Sequence, residues 1–300
     1  LHTYYETDWL GTILESENNN PTALAKAISE IKAMGYDVGT PDINESGIYW
    51  VWSEQKKSFI PPLTSIKGLG KNAVKEIMEN RPYRSVAELL HNDEGKWYHS
   101  KLNKTGFAAL CKVEALDALE EMWNGTIDHH KQLHDIIIEN YNFLKKSKFG
   151  MTLRQAKKAN AEAMLPGLIA DTRGGEDWNR IEKLQMYQEM CSATRDDLAF
   201  PPEMIQKIKS SGVKSVLKMD PGEKGIAWFC VVEMIQRTTK NKKIFYRIRI
   251  TDDQNNTGWL RMWGNSPKSM QPYTIWLTQA HNDPNWGAST SVAKVRPLVK

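Results

Sequence analysis

Three hundred residues, 40% hydrophobic and 25% charged with a formal net charge of +4, make an ordinary globular composition, long enough for two or three domains that each bury a core. No apolar run is long enough to span a bilayer and no charged-then-apolar leader opens the chain, which excludes a membrane-spanning reading and predicts a cytosolic protein. Cys111, Cys191 and Cys230 are odd in number and far apart, which argues against a disulfide framework and fits a reducing compartment.

The net charge hides an asymmetry. Residues 1–55 carry 2 Lys/Arg against 9 Asp/Glu, residues 56–104 carry 10 against 5, and residues 223–249 carry 7 against 2. Two basic regions separated in sequence suit an extended polyanion that touches two modules, although charge runs are more often solvated faces.

In chain order, residues 1–17 read as a helix with Tyr5, Trp9, Ile13 and Leu14 on one face. The opening Leu1-His-Thr-Tyr-Tyr-Glu-Thr-Asp-Trp-Leu10 has no initiator methionine and reads as a fragment or one piece of a split protein. Thr22 is the expected cap of a helix over Ala23–Met34, which Gly35 ends. A turn-rich connection from Tyr36 to Gly47 follows, then short extended segments at Ile48–Trp52 and Ser58–Ile60 around a polar turn.

The stretch Thr64 to Met78 has the form of a hairpin between two short helices. Gly68 and Gly70 flank Leu69, freeing the backbone to turn and to approach a ligand closely while Leu69 tucks into the core. Lys71–Met78 reads as a helix with Ala73, Val74, Ile77 and Met78 inward and Asn72, Lys75, Glu76 and Glu79 on the wet side. Unpaired N–H groups at such a helix start favour an anion, and Lys67, Lys71 and Lys75 surround it with positive charge. A phosphate held this way positions nucleic acid without reading its sequence. The alternative is a plain glycine turn between packed helices.

The order Ala33-Met-Gly-Tyr36, Pro41-Asp-Ile-Asn-Glu-Ser-Gly47, short hairpin, Ser65-Ile-Lys-Gly-Leu-Gly70, Tyr83-Arg-Ser-Val-Ala-Glu-Leu-Leu90 resembles the bacterial and phage C-family replicative DNA polymerases, the alpha subunits of DNA polymerase III. The resemblance covers residues 1 to about 120 and extends to Tyr5–Leu10 and Lys101–Lys104. It implies the end of a fingers domain over 1–60 and a helix-hairpin-helix DNA-binding module over 61–120. The polymerase it implies is phage-encoded and synthesises DNA with two Mg2+ ions held by palm aspartates. Those aspartates are expected upstream of Leu1, so this chain by itself is expected to carry no catalytic residue, no metal and no cofactor of its own, and to be inactive. Its expected partners are primed duplex, single-stranded template, a palm-bearing polymerase segment and a sliding clamp. Gln132–Ile137 and Gln185–Met190 are poor matches to a clamp-binding motif.

Residues 121–200 read as a helical connecting region, with helices over Met122–Lys148 and Leu153–Met164 and a core stripe at Ile136, Ile137, Tyr141 and Leu144. Pro166-Gly167 and Gly174-Gly175 are expected breaks. His130 and His134 have metal-ligand spacing, but no further ligand converges, which favours surface histidines. From about Pro201 to residue 300 the pattern turns to strands: Gly225–Ile235, Lys243–Thr251, Thr257–Trp263, Thr274–Gln279 and Ser291–Val295. Five strands with polar turns predict a small OB-type barrel, so the whole chain reads as multidomain α+β. The order also resembles the family's carboxy-terminal OB domain, with a basic turn at Thr238–Lys243 and an acidic one at Thr251–Asn256. Asp252-Asp253 and Asp196-Asp197 are expected to be ordinary solvated carboxylates.

Alternation puts Ile244, Tyr246, Ile248, Ile250, Leu260 and Met262 inside the barrel. The outer face receives Lys243, Phe245, Arg247, Arg249, Trp259, Arg261 and Trp263, with Lys242 in the basic turn. Cations with large rings suit single-stranded nucleic acid; the alternative is that these rings pack on the preceding helices. Three functions remain open: the DNA-handling segment of a polymerase whose catalytic piece lies elsewhere, a free-standing DNA-binding accessory protein, and a decayed remnant without binding.

Overall fold

The computed structural model describes residues 6–92, 96–145, 161–193, 195–239, 241–254 and 256–298. Tyr5, the end of the helix expected over Met122–Lys148, most of that expected over Leu153–Met164, Lys240 of the basic turn and Asn255 of the acidic turn lie outside these residues. The chain divides into a unit from Leu1 to Arg195 and a second from Asp196 to Lys300.

The first unit opens with α1 (Glu6–Glu17) and α2 (Pro21–Ala33). Leu10 and Leu14 face the core while Trp9 is 43% exposed, so the buried face of α1 is turned one residue from the sequence expectation. Asn20, not Thr22, caps α2: its side chain accepts the Ala23 N–H at 3.2 Å, and Pro21 takes the first position, where a missing N–H removes no helix bond. Gly35, at φ +93°, closes α2 as expected, donating to the Lys32 carbonyl.

Three short strands, β1 (Asp37–Val38), β2 (Val51–Ser53) and β3 (Ser58–Ile60), form a sheet in the order β1-β3-β2. The strand at Asp37–Val38 is not expected from the turn-rich sequence; it forms by pairing in parallel with β3, with Asp37 opposite Ser58. Trp52 and Tyr36 pack on buried Phe59, closing this small core.

The loop Pro41–Gly47 is a structural staple. The Asp42 carboxylate accepts the N–H groups of Asn44 and Glu45 and pairs with Lys56 at 2.6 Å. Asn44 in turn holds both the N–H and the carbonyl of Tyr83 at 2.8 Å, which ties this loop to the segment beyond the hairpin.

The rest of the unit is helical: α3 (Lys71–Asn80), α4 (Val86–Leu90), α5 (Lys104–Lys112), α6 (Glu120–Trp123), α7 (His130–Glu139) and α8 (Tyr141–Lys145), then helices Ala161–Asp171 and Arg180–Cys191. One buried cluster runs from Ile43 to Cys191 and includes Ile136, Ile137, Tyr141 and Leu144, the expected stripe. The single long helix expected from Met122 is broken at Asn124–Thr126, where Gly125 adopts φ +74°. Conversely, Pro166-Gly167 does not break its helix, which continues to Asp171 because Leu165 and Ile169 are anchored in the core.

The second unit begins with helices Asp196–Ala199 and Pro202–Ser210 and then forms strands β4 (Lys214–Ser215), β5 (Lys224–Thr238), β6 (Ile244–Thr251), β7 (Thr257–Trp263), β8 (Ile275–Asp283), β9 (Gly287–Ser291) and β10 (Val295–Pro297). Hydrogen-bonded neighbours run β5-β6-β7-β9-β8, and β8 pairs back to β5, with Lys224 opposite His281 and Cys230 opposite Ile275. The ring is therefore a closed five-stranded barrel of OB type. Its fifth strand is Gly287–Ser291. The run expected as that strand, Ser291–Val295, is mostly a 3-10 turn at Val292–Lys294.

Ile248, Ile250, Leu260 and Met262 fill the barrel with Phe229, Val231 and Trp276. Ile244, expected inside, is 38% exposed, since it lies at the strand's end beyond the buried stretch. Helix Pro202–Ser210 covers Trp228, Cys230 and Ile275 on the outside of the barrel through Met204 and Ile208.

Candidate nucleic-acid interface

The hairpin between Leu63 and α3 is built from its own backbone. The chain enters through one 3-10 turn, Leu63–Ser65, rather than the short helix expected there. Gly68 takes φ +98°, a left-handed conformation that L side chains rarely adopt, whereas Gly70 has φ −77° and ψ 154°, open to any residue. A Cβ on Gly70 would meet nothing within 4 Å, so the fold does not require glycine at that position. With no side chain at Gly70, the start of α3 has no cap. Among the described residues no group accepts the N–H of Lys71 or Asn72, and no side chain caps the helix.

Leu69 is buried and Ile66 accepts its N–H at 3.1 Å. It seats over Gly106 of α5, where a Cβ would come within 3.0 Å of the Leu69 side chain. Gly106 is thus the receiving position for the hairpin. The neighbouring helix start, at Thr105, lies against Gly68, whose Cβ would meet Thr105 at 3.3 Å. The N–H of Lys67 donates to the Met190 carbonyl at 2.8 Å, fixing the hairpin's first arm to the end of helix Arg180–Cys191. Lys67, Gly68, Gly70, Lys71, Asn72 and Lys75 are all exposed. None of the three lysines has an ion-pair partner among the described residues, so a concentrated positive charge faces solvent beside the bare N–H groups.

Glu76 departs from its expected place on the wet side. Its carboxylate is mostly buried and accepts the N–H groups of Ser100 at 2.7 Å, Lys101 at 3.0 Å and Leu102 at 2.8 Å, plus the Ser100 hydroxyl at 2.9 Å. Burial opposes its ionisation, but these bonds outweigh it and draw the carboxyl from its ordinary 4.5 to about 2. Glu76 therefore clamps α3 to the entry of α5. Periodicity marks it as outward because no local pattern announces three converging N–H groups 24 to 26 residues away.

In the second unit, β6 and β7 pair with Phe245 opposite Trp263, Arg247 opposite Arg261 and Arg249 opposite Trp259. The rings and cations interlock diagonally. The Arg247 guanidinium lies 4.2 Å from the Trp259 ring centroid, Arg261 lies 5.9 Å from Phe245, and Phe245 and Trp263 are 5.2 Å apart. Trp259 and Trp263 are 40% and 37% exposed, so these rings present surface to solvent. Lys242, at φ +57°, and Lys243 are exposed in the β5–β6 turn.

A cleft of about 520 Å³ opens on this face, lined by Phe245, Arg247, Trp259 and Arg261 and also by Arg237 and Trp286, which the strand alternation did not single out. Trp286 stands in the β8–β9 turn, where period-two reasoning stops, and Arg237 lies at the end of β5, beyond the stretch expected as strand. Asp252, by contrast, is fully buried and caps its own turn, accepting the N–H groups of Gln254 and Asn256 at 3.0 Å.

His130 is buried rather than on the surface: its ring lies 3.2 Å from Asp117 and 3.9 Å from Glu114, and desolvation pushes it below its ordinary value. His134 pairs with Asp135 at 2.9 Å. Among the described residues no group of three or more His, Cys, Asp or Glu could hold a metal ion. The two poor clamp-motif matches lie on α7 and on helix Arg180–Cys191. Gln132 is buried with its amide bonded to the Ile169 carbonyl. No described helix is long and apolar enough to cross a membrane.

In comparisons with known proteins, the helix-hairpin-helix motif family matches residues 35–123. The chain is also similar to DNA polymerase III alpha subunits. It is 31% identical over 129 residues to that of Helicobacter pylori strain 26695, covering 40% of this chain and 10% of the relative. With the Campylobacter jejuni subunit it shares 31% over 122 residues, covering 39% and 10%, and with that of Thermus aquaticus 27% over 122 residues, with the same coverage. The chain spans about a tenth of the length of these curated relatives. The matched stretch is thus a helix-hairpin-helix region similar to that of DNA polymerase III alpha subunits.

Proposed function

We propose that this chain is a DNA-handling segment that works with a polymerase of the DNA polymerase III alpha type, in the cytoplasm where the DNA lies. The observation that carries this reading is the open start of α3: two N–H groups without acceptors, a glycine that puts no side chain over them, and three unpaired lysines around them, within the stretch that the helix-hairpin-helix family matches. A backbone phosphate of duplex DNA fits there, bound by the N–H groups and the helix dipole with no base edge touched. The barrel face of Phe245, Arg247, Arg249, Trp259, Arg261 and Trp263, with Lys242 and Lys243 beside it, takes single-stranded template by stacking and charge.

Nucleotide addition then belongs to a palm-bearing polypeptide that holds the magnesium ions, and this chain orients the DNA for it. The purified chain is expected to bind primed duplex in fluorescence anisotropy and to incorporate no nucleotide with magnesium and deoxynucleoside triphosphates. Primer extension by the chain alone refutes this division of labour. Stable co-purification with a palm-bearing polypeptide supports it, and DNA binding without such a partner points instead to a free-standing accessory protein.

A further inference from the structure

The barrel carries one large ring that the strand-face reading does not use. Trp286 is 72% exposed in the turn between β8 and β9, and among the described residues no ring or cation packs on it. Its position is built. The Asp283 carboxylate accepts the N–H groups of Asn285 at 2.8 Å and Trp286 at 3.0 Å, and Gly287 at φ +73° turns the chain into β9. Those bonds hold the Asp283 carboxyl below the usual range.

Trp286 borders the same cleft as Trp259 and Phe245. The rings already there each carry a neighbour: Arg247 lies over Trp259, while Arg261 and Trp263 lie against Phe245. Trp286, the most exposed ring of the cleft, has no such neighbour among the described residues and adds a further surface for a flat ligand. Arg237, exposed and opposite Phe245 in the β5–β6 ladder, adds a third guanidinium to Arg247 and Arg261, and among the described residues no Asp or Glu lines the cleft. A volume of about 520 Å³ falls in the range of small-molecule sites.

We propose that Trp286 and Arg237 make this cleft a discrete slot for one unpaired nucleotide, its base stacked on the Trp286 indole and its phosphate held by Arg237 and Arg261. The proposal rests on the single-strand reading of the barrel and deepens it: the strand is gripped at a defined nucleotide in addition to lying along the sheet.

The test uses the full 300-residue chain and a labelled oligothymidylate in fluorescence anisotropy. Trp286→Ala is expected to weaken binding about tenfold and Trp286→Phe to restore most of it, since one stacked base is lost and regained. Arg237→Ala is expected to lower the slope of log affinity against log salt by about 0.7, one phosphate contact on a single strand. With an oligonucleotide whose sugars lack bases, Trp286→Ala and the unaltered chain should bind alike. Oligothymidylate affinity unchanged in Trp286→Ala, with circular dichroism showing a folded chain, overturns the slot and leaves the strand face standing. Absence of binding by the unaltered chain overturns both.

Discussion

Two glycines two residues apart have different jobs. Gly68 is demanded by its own backbone at φ +98°, while Gly70 has an ordinary backbone and open space around it. Gly68→Val is therefore expected to cost about 1–2 kcal/mol of stability through left-handed strain, read as a lowered denaturant midpoint. Gly70→Val should leave that midpoint unchanged and weaken primed-duplex binding about tenfold, because only the approach to the Lys71 and Asn72 N–H groups is covered. If Gly70→Val binds duplex as well as the unaltered chain, the phosphate contact at α3 is refuted. The sequence offers the pair as one motif; only the dihedral angles separate the glycine the fold needs from the one left open for the proposed phosphate.

Glu76 makes a prediction of its own. Its carboxyl is lowered in the folded chain from 4.5 to about 2, so the stability it contributes is fully present above about pH 4.5 and is lost as pH falls toward 2. Glu76→Gln is expected to lower stability by about 1–3 kcal/mol at pH 7, and the gap from the unaltered chain should close through that acid window. A gap that persists unchanged at the lowest pH at which both chains fold would assign the loss to packing instead.

At the scale of elements, sequence reading succeeded where periodicity and burial coincide. α3 and β5 to β7 lie where their patterns put them, and the alternation that buries Ile248, Ile250, Leu260 and Met262 leaves Phe245, Arg247, Trp259 and Arg261 outside. It failed where a distant partner decides. Asp37–Val38 is a strand only because β3 lies alongside, and Pro166 stays within a helix because its neighbours are buried. Leu69 settles on Gly106, a position with no motif of its own. The missed residues of the cleft, Arg237 and Trp286, lie in a strand extension and a turn, where alternation carries no information.

The interlocked rings of β6 and β7 carry the element-scale prediction. Phe245→Ala together with Trp259→Ala is expected to weaken oligothymidylate binding at least tenfold, since each stacked base contributes about 1–3 kcal/mol. Both side chains are partly exposed on the outside of the barrel, so the loss in stability should be small. A collapse of stability with unchanged affinity among the molecules still folded would make these rings packing residues.

For the whole molecule, each unit has its own buried clusters, those of Ile43–Cys191 and Leu10–Phe59 in the first and those around Ile248 and Trp228 in the second. Calorimetry is expected to resolve two transitions, with Gly68→Val lowering one and leaving the other in place. The same substitution should leave oligothymidylate affinity intact at temperatures where both units are folded. A single transition that shifts as a whole would show the units to be one cooperative body.

Ring closure in the barrel has a consequence in time. One pairing it requires joins Lys224 to His281, residues far apart in the chain, whereas β5 to β6 and β6 to β7 are linked by short turns. Contacts of such high sequence separation bring their loop-closure entropy before any reward, so β8 docking onto β5 is expected to govern the folding rate of this unit. On a ribosome, the strands bearing Phe245 and Trp259 emerge first and must wait, unsealed, for β8 and β9 before they form the wall of a barrel.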